Sequence, residues 1–90
     1  MLKLQLSKKA QKFLSAVPAK HQKQLALKIM DLKQYGHVND TVSLKGGTWY
    51  RVDVGEYRII YTIEEQQLLI ISLIGKRNDD DVYKKFRRLS

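Results

Sequence analysis

Trp49-Tyr50-Arg51-Val52-Asp53-Val54-Gly55-Glu56-Tyr57-Arg58-Ile59-Ile60-Tyr61-Thr62-Ile63 is the stretch that decides the fold. Aromatic and β-branched residues fill it, which suits a pleated strand, and Gly55-Glu56 divides it at the length of a hairpin turn. With a two-residue turn, Val54 faces Tyr57, Asp53 faces Arg58 and Val52 faces Ile59 across the ladder. One side then collects Tyr50, Val52, Val54, Tyr57, Ile59 and Tyr61. The other carries Arg51, Asp53, Arg58, Ile60 and Thr62. Residues 68–74 form a third apolar run after a polar turn at Glu65-Gln66, so residues 49–54, 57–63 and 68–74 read as a three-stranded antiparallel meander. A matching two-residue turn sets Arg58 opposite Leu73, and counting by twos from Leu73 brings Arg77 to the same side. Arg51, Arg58 and Arg77 thus converge on one sheet face, a construction that a one-residue slip in either hairpin would break.

Upstream, Leu2, Leu4 and Leu6 alternate with Lys3 and Gln5, the period of a half-buried strand. Ser7 offers an N-cap, and Ala10, Phe13, Leu14 and Val17 recur at helical spacing until Pro18 stops them. Pro18 also suits the first turn of a second helix, along which Gln22, Leu25, Ile29 and Leu32 line one face with Ala26 and Met30 beside it. Lys20, Lys23, Lys28 and Lys33 lie mainly elsewhere, and Gly36 is the natural stop. Two helices broken only at Pro18 suggest an antiparallel hairpin. His37 to Ser43 read as a polar loop. Near the other end, Tyr83, Phe86 and Leu89 recur every third residue, as in a short terminal helix, with Asp79, Asp80 and Asp81 at its first turn, where negative charge is favoured. The expected fold is therefore α+β: an N-terminal strand, a helical hairpin, a three-stranded antiparallel meander and a short C-terminal helix.

Ninety residues suit one domain over 1–90, and the 43% hydrophobic content argues against wholesale disorder. The chain holds no cysteine, which removes disulfide scaffolds and thiolate metal sites. No apolar run approaches the ~20 residues that span a bilayer, and residues 1–6 lack the apolar block of a signal peptide. The expectation is a cytoplasmic protein with no membrane partner. His21 and His37 stand in no metal-ligand spacing, no serine sits in a glycine-flanked elbow, and Gly46-Gly47 is a lone diglycine, so no cofactor is implied. The net charge of +8 favours a polyanionic partner. It divides unevenly: residues 1–38 carry eight lysines against Asp31 alone, whereas residues 39–90 carry nine Lys and Arg against eight acids. Tyr57 and Tyr61 alternate into the core, and Trp49 reads as a packing residue.

Three segments occur in order: Leu44-Lys45-Gly46 before the sheet, Glu56-Tyr57-Arg58-Ile59-Ile60-Tyr61 on a strand, and Gly75-Lys76-Arg77 leading to Val82-Tyr83. Together they resemble the RelE branch of the RelE/ParE superfamily of bacterial toxins, over essentially the whole chain. The resemblance implies a toxin of a type II toxin–antitoxin system, a ribosome-dependent mRNA endonuclease. It would act on mRNA in the 70S ribosome without metal, the neighbouring 2′-hydroxyl being the nucleophile, and be neutralised by a cognate antitoxin. Carried over by position, Arg58 and Arg77 brace the scissile phosphate, a task suited to guanidinium. Arg51 and Lys45 hold RNA or assist proton transfer, and Tyr83 stacks on a base or takes part in that transfer. Lys76 and the helical lysines Lys20, Lys23 and Lys28 supply further RNA contacts. Asp53 departs from the pattern, since the best-known member has a second catalytic lysine there. It either orders Arg58 or repels phosphate, and cross-strand pairing favours the former. The alternative function is that of a ParE-like DNA gyrase inhibitor, which shares the fold but lacks the nuclease residues; Arg77 and Tyr83 favour the nuclease.

Overall fold

The computed structural model describes residues 1–44 and 46–77. The expected terminal helix with Tyr83, Phe86 and Leu89, the acidic run Asp79 to Asp81, and Lys45 lie outside the described residues. In chain order the elements are β1 (Lys3–Leu6), α1 (Lys8–Ala16), α2 (Ala19–Tyr35), β2 (Val42–Ser43), β3 (Tyr50–Val54), β4 (Tyr57–Glu64) and β5 (Leu68–Lys76). The strands make one five-stranded sheet in the order β1-β5-β4-β3-β2. Every pairing is antiparallel except that of β1 with β5. The two helices carry the chain from β1 at one edge of the sheet to β2 at the other.

Local chemistry accounts for the helix ends. The Ser7 hydroxyl accepts the Ala10 N–H at 3.0 Å, capping α1, and also donates to the Ser72 carbonyl on β5. Pro18 opens α2, its carbonyl accepting from both His21 and Gln22. Gly36 closes α2 at φ +76°, a conformation glycine adopts without penalty, with its N–H bonded to Leu32 O. Leu25, Ile29 and Leu32 of α2 and Ala10 of α1 are buried against Val52, Val54, Tyr57, Ile59, Tyr61, Leu69, Ile71 and Ile74 of the sheet. Phe13, Leu14 and Val17 pack around them. Each large apolar side chain so buried contributes about 1.5–3 kcal/mol. α1 lies over β5 and α2 over β3, so both helices cover one side of the sheet. Ile60 and Leu73 form a second, small apolar cluster with Leu44 and Trp49, separate from that core. None of the helices among the described residues is long and apolar enough to cross a membrane.

Two expectations are corrected. The 37–43 loop contains an edge strand, Val42–Ser43, which pairs with Arg51 and Tyr50; a two-residue strand is too short to show a sequence period. The β4–β5 register also differs. Glu64 pairs with Leu68, so the connection has three residues, with Glu65 and Gln66 at positive φ. Farther along, Ile60 pairs with Leu73 but Tyr61 with Ile71, a bulge that leaves Ser72 as the extra residue. Each departure moves the register by one. Arg58 therefore faces Gly75, two residues beyond the expected Leu73, and the even shift preserves the side of the sheet.

Because Ser7 joins the first turn of α1 to the bulge carbonyl of Ser72, Ser7→Ala removes a cap and leaves that carbonyl without its donor. Urea unfolding of the variant is expected to show a loss of roughly 1–2 kcal/mol with the m-value unchanged.

Candidate functional site

The side of the sheet opposite the helices carries Arg51 and Asp53 from β3 and Arg58 from β4, their alternation fixed by the pairs Arg51↔Ile60 and Asp53↔Arg58. The hairpin that sets these pairs turns through Gly55 and Glu56, with Gly55 at φ +55°. A side chain at residue 55 would be strained in that conformation and would also meet the Gln24 side chain at 3.3 Å. The expected two-residue turn and cross-strand register of β3 and β4 are both present.

Arg58 and Asp53 form a two-point ion pair. Arg58 Nε donates to Asp53 Oδ1 at 2.7 Å and Nη2 to Oδ2 at 3.3 Å. Only 12% of the Arg58 side chain is exposed, against 35% for Asp53. The Arg58 hydrogen bonds lower the Asp53 pKa below its ordinary value against the opposing effect of burial, and the charges of Arg58, Arg51 and Arg77 add to the lowering. Arg77 stands at the end of β5, where its backbone N–H bonds Glu56 O at 2.8 Å beside the β3–β4 turn. All three arginines expected to converge thus act on one carboxylate. On β5 the residue facing Arg58 is Gly75, which has no side chain to stand beside the guanidinium. Trp49 is half-buried with Ile60 and Leu73 on the same side, an apolar floor next to the cations.

The expected RNA-contact lysines are not brought to this cluster. Lys76 pairs with the core residue Tyr57, so the register directs it toward the helix side of the sheet. Lys20 and Lys23 are exposed and Lys28 half-buried on α2, also on the helix side. The described residues thus carry two basic clusters, lysines on the helices and arginines on the opposite sheet face. Tyr83 and Lys45 lie outside the described residues. Among the described residues no three His, Asp or Glu side chains gather as a metal-binding group.

Sequence reasoning left both histidines without a role, and each holds a core tyrosine. His21 Nδ1 lies 2.6 Å from the Tyr57 hydroxyl, and Tyr57 packs edge-on against Phe13. His37 Nδ1 lies 2.8 Å from the Tyr61 hydroxyl, which also donates to Thr41 Oγ1 at 3.4 Å. Burial raises the Tyr61 pKa, so this phenol stays protonated and serves structure. For His21 a signal existed: it precedes Leu25 by four residues and so shares the buried face of α2. His37 follows the helix in a loop, and no period marks it.

Residues 4–81 match the family model described as the ParE toxin of the type II toxin–antitoxin system parDE. The chain belongs to the RelE/ParE family of type II toxins. Solved RelE structures share its fold. The isolated E. coli RelE toxin superposes with a TM-score of 0.75 over 100% of both chains at 18% identity. The archaeal RelE of the RelE–RelB complex from Pyrococcus horikoshii gives 0.72 at 25% identity, over 86% of this chain and 96% of that one. The RelB–RelE complex from Methanococcus jannaschii gives 0.69 at 26% identity, over 96% and 99%. No curated protein sequence matches the chain significantly. Within this RelE/ParE toxin, the placement of Arg51, Arg58 and Asp53 follows from the hairpin alone.

The Asp53 carboxyl has a lower pKa folded than unfolded, so it contributes stability above the ordinary value of 3.8 and loses it as pH falls through the depressed native value. Thermal melts across this acid window are expected to drop more steeply for the wild type than for Asp53→Asn. Parallel curves would mean that the ion pair adds nothing to folding.

Proposed function

We propose that this toxin, acting as a single domain over residues 1–90, is a ribosome-dependent mRNA endonuclease. The observation that carries this reading is the gathering of Arg51, Arg58 and Arg77 about Asp53 on the sheet face opposite α1 and α2. Cleavage by a neighbouring 2′-hydroxyl requires a proton acceptor, cations where charge grows on the phosphate, and a proton donor for the departing 5′-oxygen. Three arginines and one aspartate leave two net positive charges. That total matches the doubly charged pentavalent phosphorane better than the singly charged diester, which is the selectivity a catalyst needs. Arg58 and Arg77 brace the phosphate, Arg51 and Lys45 hold the strand, and Tyr83 stacks on a base or shares in proton transfer.

The lysines of the helix layer suit a different contact. Lys20, Lys23 and Lys28, with Lys76 at the end of β5, would hold ribosomal RNA by phosphate neutralisation while the opposite sheet face meets mRNA. The partners of this reading are the 70S ribosome with its message, and a cognate antitoxin like the RelB chains that accompany RelE in the archaeal complexes.

The matching family description names ParE, which favours a second reading, inhibition of DNA gyrase. Programmed ribosomes and purified gyrase, each mixed with the toxin, separate the two. Intact message together with blocked supercoiling would replace the endonuclease reading.

Arg58→Ala is expected to lower the cleavage rate by about 10²–10³ while ribosome affinity changes little, as for loss of a group acting at the transition state. Replacing Lys20, Lys23 and Lys28 together by Gln should do the reverse, weakening binding and flattening its dependence on salt. Sedimentation of ribosome complexes across a potassium chloride series measures that slope.

A further inference from the structure

Asp53 stands where a negative charge is least welcome to a phosphodiester, and the structure gives it a definite task. We infer that Asp53 is the positioning residue for Arg58: it grips the Nε edge of the guanidinium, fixes the plane of that group and its outer edge, and does not accept the substrate proton. The inference rests on the endonuclease reading above.

The geometry supports it in three steps. First, contact is made at the Nε and Nη2 edge, at 2.7 and 3.3 Å, so planarity directs Nη1 and the second Nη2 hydrogen away from the carboxylate. A guanidinium gripped along this edge has its plane fixed by the carboxylate. Second, the grip is built into the ladder. Asp53 and Arg58 are direct cross-strand partners on either side of a two-residue turn, and the Arg58 side chain is mostly enclosed. Third, both carboxylate oxygens already accept from Arg58, and three neighbouring guanidinium charges act on the group. An anion so stabilised is a weak base.

The test compares wild type, Asp53→Ala and Asp53→Asn on programmed ribosomes, with kcat and KM measured across pH. Asparagine keeps an oxygen for Arg58 Nε but cannot take up a proton. Asp53→Ala is expected to lower kcat about tenfold with KM within about twofold, the cost of a misplaced group. Asp53→Asn should recover to within about threefold of wild type and keep the acid limb of the wild-type pH profile. An asparagine variant as impaired as alanine, with that limb lost, would instead make Asp53 the proton acceptor. An alanine variant as fast as wild type would remove any role in positioning. The Arg58 Nε–H resonance in ¹⁵N NMR of the free toxin reads the grip apart from activity. Slow solvent exchange is expected in wild type and Asp53→Asn, and fast exchange in Asp53→Ala; fast exchange in wild type would overturn the inference. Failure of wild-type toxin to cut any message would overturn the endonuclease reading instead, with the NMR result still deciding whether Asp53 holds Arg58.

Discussion

The register of β4 between its two neighbours is the constraint on which the rest of this structure depends. Side chains alternate, so a single-residue slip would turn Arg58 toward the helices and Ile59 out to solvent. Burying a guanidinium without its partner costs several kcal/mol, enough to consume much of the stability of a domain this small. The β3 edge of β4 is held by the turn at Gly55 and by the Asp53–Arg58 pair. The β5 edge is held less directly. There the bulge at Ser72 resets the alternation, and the cap residue of α1 takes the Ser72 carbonyl, so a helix start and a strand irregularity stabilise one another.

From that register follows a division between the two sides of the sheet. The helix side is closed by apolar packing and by two histidine–tyrosine pairs, one for each of the tyrosines on β4. Those hydrogen bonds let bulky phenols occupy the core without leaving a hydroxyl unsatisfied, and among the described residues no buried side-chain polar atom lacks a partner. On the other side the described residues form the small cluster of Ile60, Leu73, Leu44 and Trp49 beside the charged groups. A cation resting on an apolar floor is less screened than one surrounded by water, which strengthens its attraction for a phosphate.

Features set by neighbours a few residues apart were legible in the sequence. Ser7, Gly36, the α1 stripe and the Gly55-Glu56 hairpin each depend on local sterics or a short hydrogen bond, and the cross-strand pairing of Asp53 with Arg58 follows from the hairpin. What escaped was set at long range. The parallel pairing of β1 with β5 joins residues more than sixty positions apart, and nothing in Leu2, Leu4 and Leu6 names a partner strand. The extra residue of the β4–β5 connection and the bulge at Ser72 left no mark either, because residues 68–74 are apolar on both sides. Arg77 stayed on the expected side because those two displacements add to an even number. The histidines escaped because their role is defined by hydroxyls on distant strands.

β1 carries a consequence of its own. The Lys3 N–H bonds the Gln67 carbonyl just before β5 and the Ser7 N–H that of Ile71, so alternation turns the backbone of Leu2, Leu4 and Leu6 outward. The Leu2 N–H is taken by the carbonyl of Lys33 on α2, and the Leu6 carbonyl by the Gln11 side chain of α1. Both ends of the exposed edge are thereby closed, leaving the exposed Leu4 as its centre. An edge so short offers little template for a strand from another molecule. The same few hydrogen bonds that attach the first strand therefore also limit edge-to-edge pairing between two copies of the chain.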